Sequence, residues 1–299
     1  MKRKILVLGG TRFFGKRLVH KLIENGDEIT VATRGETEDD FGNTVTRIKV
    51  DRFDKESMKE AFSHGEIIWD VIYDQICFAP DDAKDSCEIF KGRVKKYVLT
   101  STMAVYPFDD SASEKKVEKD FDPYSVSVKD GRMGAFDYAE GKRLAEAVFF
   151  QEASFPVIAA RPPIVLGLDD YTERLHYYVR KVLQEEAIGI DPLDKKISFV
   201  DSDDLAQFLF WAGFNDLVGP VNTSAPDYVS LGDMIHLIEE KLKKKAHVVV
   251  PKTKEENSPM NFPVSIYQDV SVAEAAGYSF KPLSEWFEPL IEAIIASEK

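Results

Sequence analysis

The sequence predicts an α/β fold: a doubly wound parallel sheet with helices on both faces, followed by a smaller C-terminal α/β substrate lobe. Three observations carry this. A short apolar run, Ile5-Leu-Val-Leu8, ends in the glycine-rich stretch Gly9-Gly-Thr-Arg-Phe-Phe-Gly15 and passes into a helix-spaced segment. Strand-like and helix-like segments then alternate as far as Ala160, the signature of a parallel sheet with crossover helices. Beyond Gly167 the pattern loosens. Residues 1–165 are expected to form most of the first domain and 166–299 most of the lobe, with some segments of the latter returning to the first.

In order, residues 16–24 place Leu18, Val19, Leu22 and Ile23 on one helical face, and Asn25-Gly26 stops that helix. Glu28-Ile-Thr-Val-Ala-Thr33 reads as the second strand. Strand, glycine-rich turn, helix and strand within about 30 residues make a βαβ unit of the dinucleotide-binding, or Rossmann, type. The glycines let backbone N–H groups approach closely, and the helix N-terminus offers positive potential to a pyrophosphate. Arg12 stands where the middle glycine of Gly-x-x-Gly-x-x-Gly would be. The second strand ends in Arg34 where an acid would hold a ribose 2′-hydroxyl, so Arg12 and Arg34 are expected to converge on a 2′-phosphate and favour NADP over NAD.

A third strand over 45–50 leads to Asp51-Arg52-Phe53-Asp54, where Asp51 meets the adenine amine or caps the helix starting near Lys55. The fourth strand spans 69–73, a helix runs from 82 to about 91, and the fifth strand spans 96–102 and ends in the hydroxyls of Thr100, Ser101 and Thr102. An acidic loop over 109–130 follows. Then comes Tyr138-Ala-Glu-Gly-Lys142 at the start of a helix. A separation of four sets the phenol and the ammonium on one face, where the cation favours the phenolate and suits proton transfer near neutral pH. A sixth strand, 157–160, runs into Arg161-Pro-Pro-Ile-Val-Leu-Gly167, whose prolines impose extended backbone. Helices over 171–186, 202–214, 231–244 and 283–296 and a strand over 197–200 complete the reading.

The 299 residues are 44% hydrophobic and 30% charged, an ordinary globular composition, with formal net charge −13. That sign disfavours a surface built for nucleic acid. No apolar segment approaches the ~18 residues of a membrane span. Two cysteines, Cys77 and Cys87, make no disulfide framework and suit a cytoplasmic protein. His20, His64, His176, His236 and His247 lack ligand spacing, so no metal is expected.

Taken together, Gly9-Gly-Thr-Arg-Phe-Phe-Gly15, Ser101-Thr-Met-Ala-Val-Tyr106, Tyr138-x-x-x-Lys142, Arg161-Pro-Pro-Ile-Val-Leu-Gly167 and Phe199-Val-Asp-Ser-Asp-Asp-Leu-Ala206 resemble the extended short-chain dehydrogenase/reductases of the NAD(P)-dependent epimerase/dehydratase family. The likeness runs from residue 4 to about residue 290. It implies transient hydride transfer on a nucleotide sugar, with Tyr138 as acid/base, Lys142 as its partner and Thr102 holding the substrate oxygen. Cofactor contacts are implied at Gly9, Gly10, Thr11, Arg12, Phe13, Phe14 and Gly15, at Arg34, Asp51, Arg52 and Thr100, and at Tyr138, Lys142, Arg161, Pro162 and Ile164. Arg174 and Tyr177 are placed with Thr102 on the substrate side. A homodimer is implied by analogy.

Arg12 and the surrounding wording resemble an atypical branch that includes chloroplast stem-loop RNA-binding proteins. Members of that branch often lack the Tyr–Lys pair, which is intact here and favours an enzyme. Two alternatives accompany the first reading. One is an NADP-dependent carbonyl reductase using the same three residues. The other is a non-catalytic nucleotide-sensing or RNA-binding protein using the basic clusters at 91–96 and 241–245.

Overall fold

The computed structural model describes residues 2–62, 67–108 and 113–298. Ile5, Leu6, Val7 and Leu8 are all inaccessible to solvent, as a strand covered on both faces and paired on both edges must be. They belong to β1 (Lys4–Leu8), which turns through Gly9 and Gly10 into α1 (Phe13–Glu24); β2 (Glu28–Thr33) returns parallel to β1, with Leu8 opposite Ala32. The alternation continues with β3 (Val45–Lys49), α2 (Lys55–Phe62), β4 (Val71–Asp74), α3 (Pro80–Ile89) and β5 (Tyr97–Thr100). Pro80 opens α3 at a position where its missing N–H costs nothing. The expected fourth strand began at Trp69, which makes only an isolated bridge to Val94.

After β5 come β6 (Lys115–Lys116), α4 (Tyr138–Glu152), β7 (Val157–Arg161) and β8 (Ile164–Leu166), the last formed by the extended segment after the two prolines. The second half of the chain contains α5 (Arg174–Gln184), β9 (Ala187–Gly189), β10 (Lys196–Ile197), β11 (Phe199–Asp201), α6 (Ser202–Ala212), β12 (Gly219–Asn222), β13 (Val229–Ser230), α7 (Leu231–Leu242), β14 (His247–Val249), β15 (Tyr267–Gln268), α8 (Ser271–Ala275) and α9 (Leu283–Ser297), of which α6, β12 and α8 return to the central sheet. α5 starts three residues later than its periodicity suggests. Asp170 accepts from the Thr172 N–H and hydroxyl in a turn, and Glu173 takes left-handed backbone (φ 52) before the helix. The strand expected over 197–200 divides at Ser198, because β10 pairs with β13 while β11 pairs with β8.

Seven strands form one parallel sheet in the order β12-β7-β5-β4-β1-β2-β3. Strand order reverses at β1, which pairs with β2 on one side and β4 on the other. In such sheets the crevice beyond the carboxyl ends at the reversal is where ligands bind. One face is covered by α1 and α6 through Leu18, Val19, Leu22, Leu205, Phe208 and Leu209. The other is covered by α2, α3 and α4 through Met58, Ala83, Val148 and Phe149. Each such fully buried aliphatic or aromatic side chain contributes about 1.5–3 kcal/mol over exposure. A third core joins α5, α7 and α9 through Val179, Ile238 and Ile294.

Two polar fasteners tie the lobe down. Arg17 of α1 grips Asp169 with two N–H groups, both at 2.7 Å, and reaches Asp203 of α6 at 2.8 Å. Asp269 accepts from Lys115 at 2.6 Å and from Ser271, joining the β6 and β15 segments.

Candidate active site

At the reversal point the backbone of Gly9 donates to Ala32 O and that of Gln75 donates to Leu8 O, so the glycine turn and the end of β4 are held side by side. Gly9 and Gly10 have φ of +90° and +87°, backbone that favours glycine. Gly15 has no room for a Cβ, because the Gln75 side-chain oxygen occupies that space. Arg12 has ordinary extended backbone (φ −135) at the N-cap of α1, so the turn tolerates its side chain. Phe13 and Phe14 present their rings to a cleft of about 420 Å³ beyond the strand ends.

Tyr138, Lys142 and Thr102 line that same cleft. Tyr138 is the first residue of α4, whose N-cap, Asp137, accepts from the Glu140 N–H at 2.8 Å. Its side chain is 56% exposed and its ring tilts against Phe78, 6.4 Å between centroids. One turn on, Lys142 is 2% exposed and donates to the carbonyls of Cys77 (2.8 Å) and Thr100 (2.6 Å). Gly141 makes this approach possible: a Cβ there would lie 2.5 Å from the Phe78 carbonyl oxygen. Thr102 Oγ1 accepts from the Ala104 N–H at 3.1 Å, which leaves its own proton for donation. Ser101 is spent elsewhere, donating to Glu146 at 2.5 Å. Thr100, Pro162, Ile164 and Arg174 also line the cleft, and Arg174 donates to Thr172 Oγ1 at 2.8 Å.

Phe78 borders both this cleft and a second pocket of about 340 Å³, lined by Gly9, Thr11, Arg34, Glu36, Asp51 and Phe53 among others. This is the side on which a dinucleotide's adenosine would lie. Asp51 is held by the Phe53 N–H, and helix α2 is capped by Asp54 instead, which accepts from the Glu56 and Ser57 N–H groups.

Four expectations need correction. Arg12 and Arg34 do not converge: the Arg12 guanidinium lies 6.0 Å from the Tyr171 ring on the catalytic side, while Arg34 pairs with Glu36 at 2.9 Å beside the second pocket. Arg52 borders that pocket, but its guanidinium turns inward to Asp74 (2.9 Å) and Ser86 (3.0 Å). Burial is the largest single influence and works against the charge there, but Asp74 and the other acidic groups around it together outweigh burial and hold the Arg52 pKa above its ordinary value. Arg161 is completely enclosed and gives its donors to Glu146, the Tyr106 hydroxyl and the carbonyls of Glu118 and Phe121. Tyr177 packs edge-on against Tyr178, 5.3 Å between centroids, and from this segment it is Tyr171 that lines the cleft.

Sequence reasoning did not select Gln75, Phe78, Gly141, Asp170 or Tyr171. Only Gly141, inside the Tyr–Lys spacing, carried a local signal. Among the described residues no group of three or more His, Cys, Asp or Glu could hold a metal ion, and no helix is long and apolar enough to cross a membrane. His64 and the first residues of the acidic loop, 109–112, lie outside the described residues.

Fold and cleft together define an α/β protein with a cleft at the strand-order reversal of a parallel sheet, and comparisons with known proteins narrow the class. A sequence model of the NAD dependent epimerase/dehydratase family matches residues 5–74. Over all but a few residues the fold is that of UDP-glucose 4-epimerases from Thermotoga maritima, solved with UDP-glucose (TM-score 0.74, 19% identity, 99% of this chain and 100% of that one). It is also that of the Thermus thermophilus enzyme, solved with NAD (TM-score 0.73, 18% identity, 98% of each chain). Among curated proteins, chloroplast stem-loop binding protein of 41 kDa b from Arabidopsis thaliana is 29% identical over 118 residues, 35% of this chain. The match spans 30% of that relative's length. Residues 5–74 thus match the epimerase/dehydratase family model, and the whole chain shares the fold of these two epimerases.

Proposed function

We propose that this protein is an NAD(P)-dependent oxidoreductase of the epimerase/dehydratase type, acting on a nucleotide sugar through transient hydride transfer with Tyr138 as acid/base. The carrying observation is that Tyr138, Lys142 and Thr102 share one cleft with Phe13 and Phe14 of the glycine turn. The residues fit the dinucleotide: a turn of positive-φ glycines at a helix N-terminus, and a buried amide nitrogen on Gln75 that has no protein partner. When bound, the nicotinamide supplies a reversible hydride acceptor.

Tyr138 exchanges a proton with the substrate oxygen. Its hydroxyl makes no hydrogen bond with the other described residues and faces the cleft beside bulk water. Thr102 donates its free proton to the same oxygen as negative charge develops. Lys142, fixed by two carbonyls, sets its side-chain nitrogen at the cleft wall, where it would orient the ribose of the cofactor. NADP is preferred to NAD because Arg34 borders the adenosine side.

A second reading, an NADP-dependent carbonyl reductase using the same three residues, is favoured by the aromatic walls. Phe13, Phe14, Phe78, Phe108 and Phe262 suit an apolar carbonyl compound. Nucleic acid is not the partner proposed, because the net charge is −13 and several lysines of the basic clusters sit beside carboxylates. Lys241 pairs with Glu288 and Glu292, Lys244 with Glu185, Lys245 with Glu239 and Lys95 with Asp70.

Native and then denaturing mass spectrometry of the purified protein tests this. Retained NADP or NAD supports the self-recycling reading; a nucleotide-free protein that binds NADPH reversibly supports the reductase; binding of neither overturns both. In the loaded protein, Tyr138→Phe should keep nucleotide affinity and lose about 100-fold or more in turnover of UDP-glucose or of an aromatic aldehyde. An unchanged rate would remove Tyr138 from the acid/base role.

A further inference from the structure

We propose that the side-chain amide of Gln75 is an anion-binding element of the glycine turn, donating to the phosphate of the bound dinucleotide that lies nearer the nicotinamide. The proposal rests on the reading of this cleft as a dinucleotide site. Gln75 follows the last residue of β4, the strand beside β1 at the reversal point, and it lines the catalytic cleft and not the adenosine pocket. Its side chain lies under the glycine turn: its Oε1 fills the space a Cβ on Gly15 would need, and its Cβ is 3.7 Å from where one on Gly9 would be.

Gly15 is therefore glycine to admit this amide as well as the ligand. The Nε2 of Gln75 is enclosed and has no hydrogen-bond partner among the described residues. An enclosed amide donor without a partner is costly, and a phosphate oxygen at the mouth of the turn removes that cost. The two amide positions interchange by a half-turn of the terminal torsion, so the N–H₂ group occupies either the enclosed position or the one beside Gly15 of the turn.

The sequence supplies a reason for such a donor. Arg12 occupies the position of the middle glycine, where a Cα without side chain would let the pyrophosphate touch the backbone. Its guanidinium is turned toward Tyr171. An amide donor from below the turn restores a contact that this substitution removes from above.

The test is titration of the purified, nucleotide-stripped protein with NADP, NAD, ADP-ribose and AMP, followed by calorimetry, for the wild type, Gln75→Leu and Gln75→Glu. Gln75→Leu should weaken the dinucleotides and ADP-ribose about tenfold or more and leave AMP unchanged, since AMP lacks the second phosphate. Gln75→Glu keeps the shape, sets a carboxylate against the phosphate and should weaken them further. Equal affinities in wild type and both variants, or a loss as large for AMP as for ADP-ribose, would overturn the proposal. If the wild type itself bound none of the four ligands, the dinucleotide reading of the cleft would fall, and this inference with it. Thermal midpoints of the ligand-free variants within a few degrees of wild type separate a binding defect from a folding one.

Discussion

Arg34 and Glu36 hold opposite charges 2.9 Å apart beside the second pocket, so a 2′-phosphate placed there would compete with the carboxylate for the guanidinium. Arg34→Asp should weaken NADP at least about tenfold more than NAD, and Glu36→Gln should tighten NADP several-fold with little change for NAD. Fluorescence titration with both cofactors reads each ratio; equal changes for the two would show that this pair does not read the phosphate. The arginines also mark where sequence reasoning stops. Tyr138, Lys142 and Thr102 were legible because helical spacing and a strand end place them whatever the surroundings. Arg52 and Arg161 looked the same as ligand-binding arginines on paper. Their partners, Asp74 and Glu146, come from other elements, and only the folded chain brings them together.

Helix α4 carries the proposed acid/base and structural groups about one turn apart. Lys142 binds the end of β5, and Glu146 receives Ser101 from just beyond that end and Arg161 from β7. This cluster fixes the rotation of the helix that presents Tyr138. Arg161→Met should cost about 3–5 kcal/mol in urea unfolding, because Glu146 would remain buried without its counter-ion. Pairing it with Glu146→Gln should recover part of that loss; a single variant as stable as wild type would mean that the charges contribute nothing. Elements of this length were readable from periodicity. β6, β13 and β15 were not, since two residues carry no alternation, and β12 was hidden because Gly219-Pro220 reads as a turn although proline is tolerated on an edge strand.

Across the whole molecule, the lobe is held by charged fasteners that respond to acid. Burial works against the Asp269 carboxylate, but Lys115 and Ser271 outweigh it and lower its pKa from 3.8 to about 2. A lowered folded-state pKa stabilises the fold above the ordinary value, and that stability is lost as pH falls through the folded one. Asp169 beside Arg17 is lowered in the same direction. Asp269→Asn should therefore lower the urea midpoint at pH 7, with the difference from wild type closing between about pH 4 and about pH 2. A gap that stayed constant to pH 2 would assign the effect to shape instead of charge.

The return of β12 to the edge of the sheet beside β7 also bears on how the chain is made. As the protein emerges from the ribosome, amino end first, β7 has to wait with one row of backbone hydrogen-bonding groups unpaired until α5 and α6 have followed it out. During that interval a second nascent chain can offer its own strand, and α1 still lacks the cover that α6 later provides. Any cut between the first 165 residues and the remainder would make that passing state permanent, leaving a fragment that already contains Tyr138 and Lys142 but carries an open, adhesive edge.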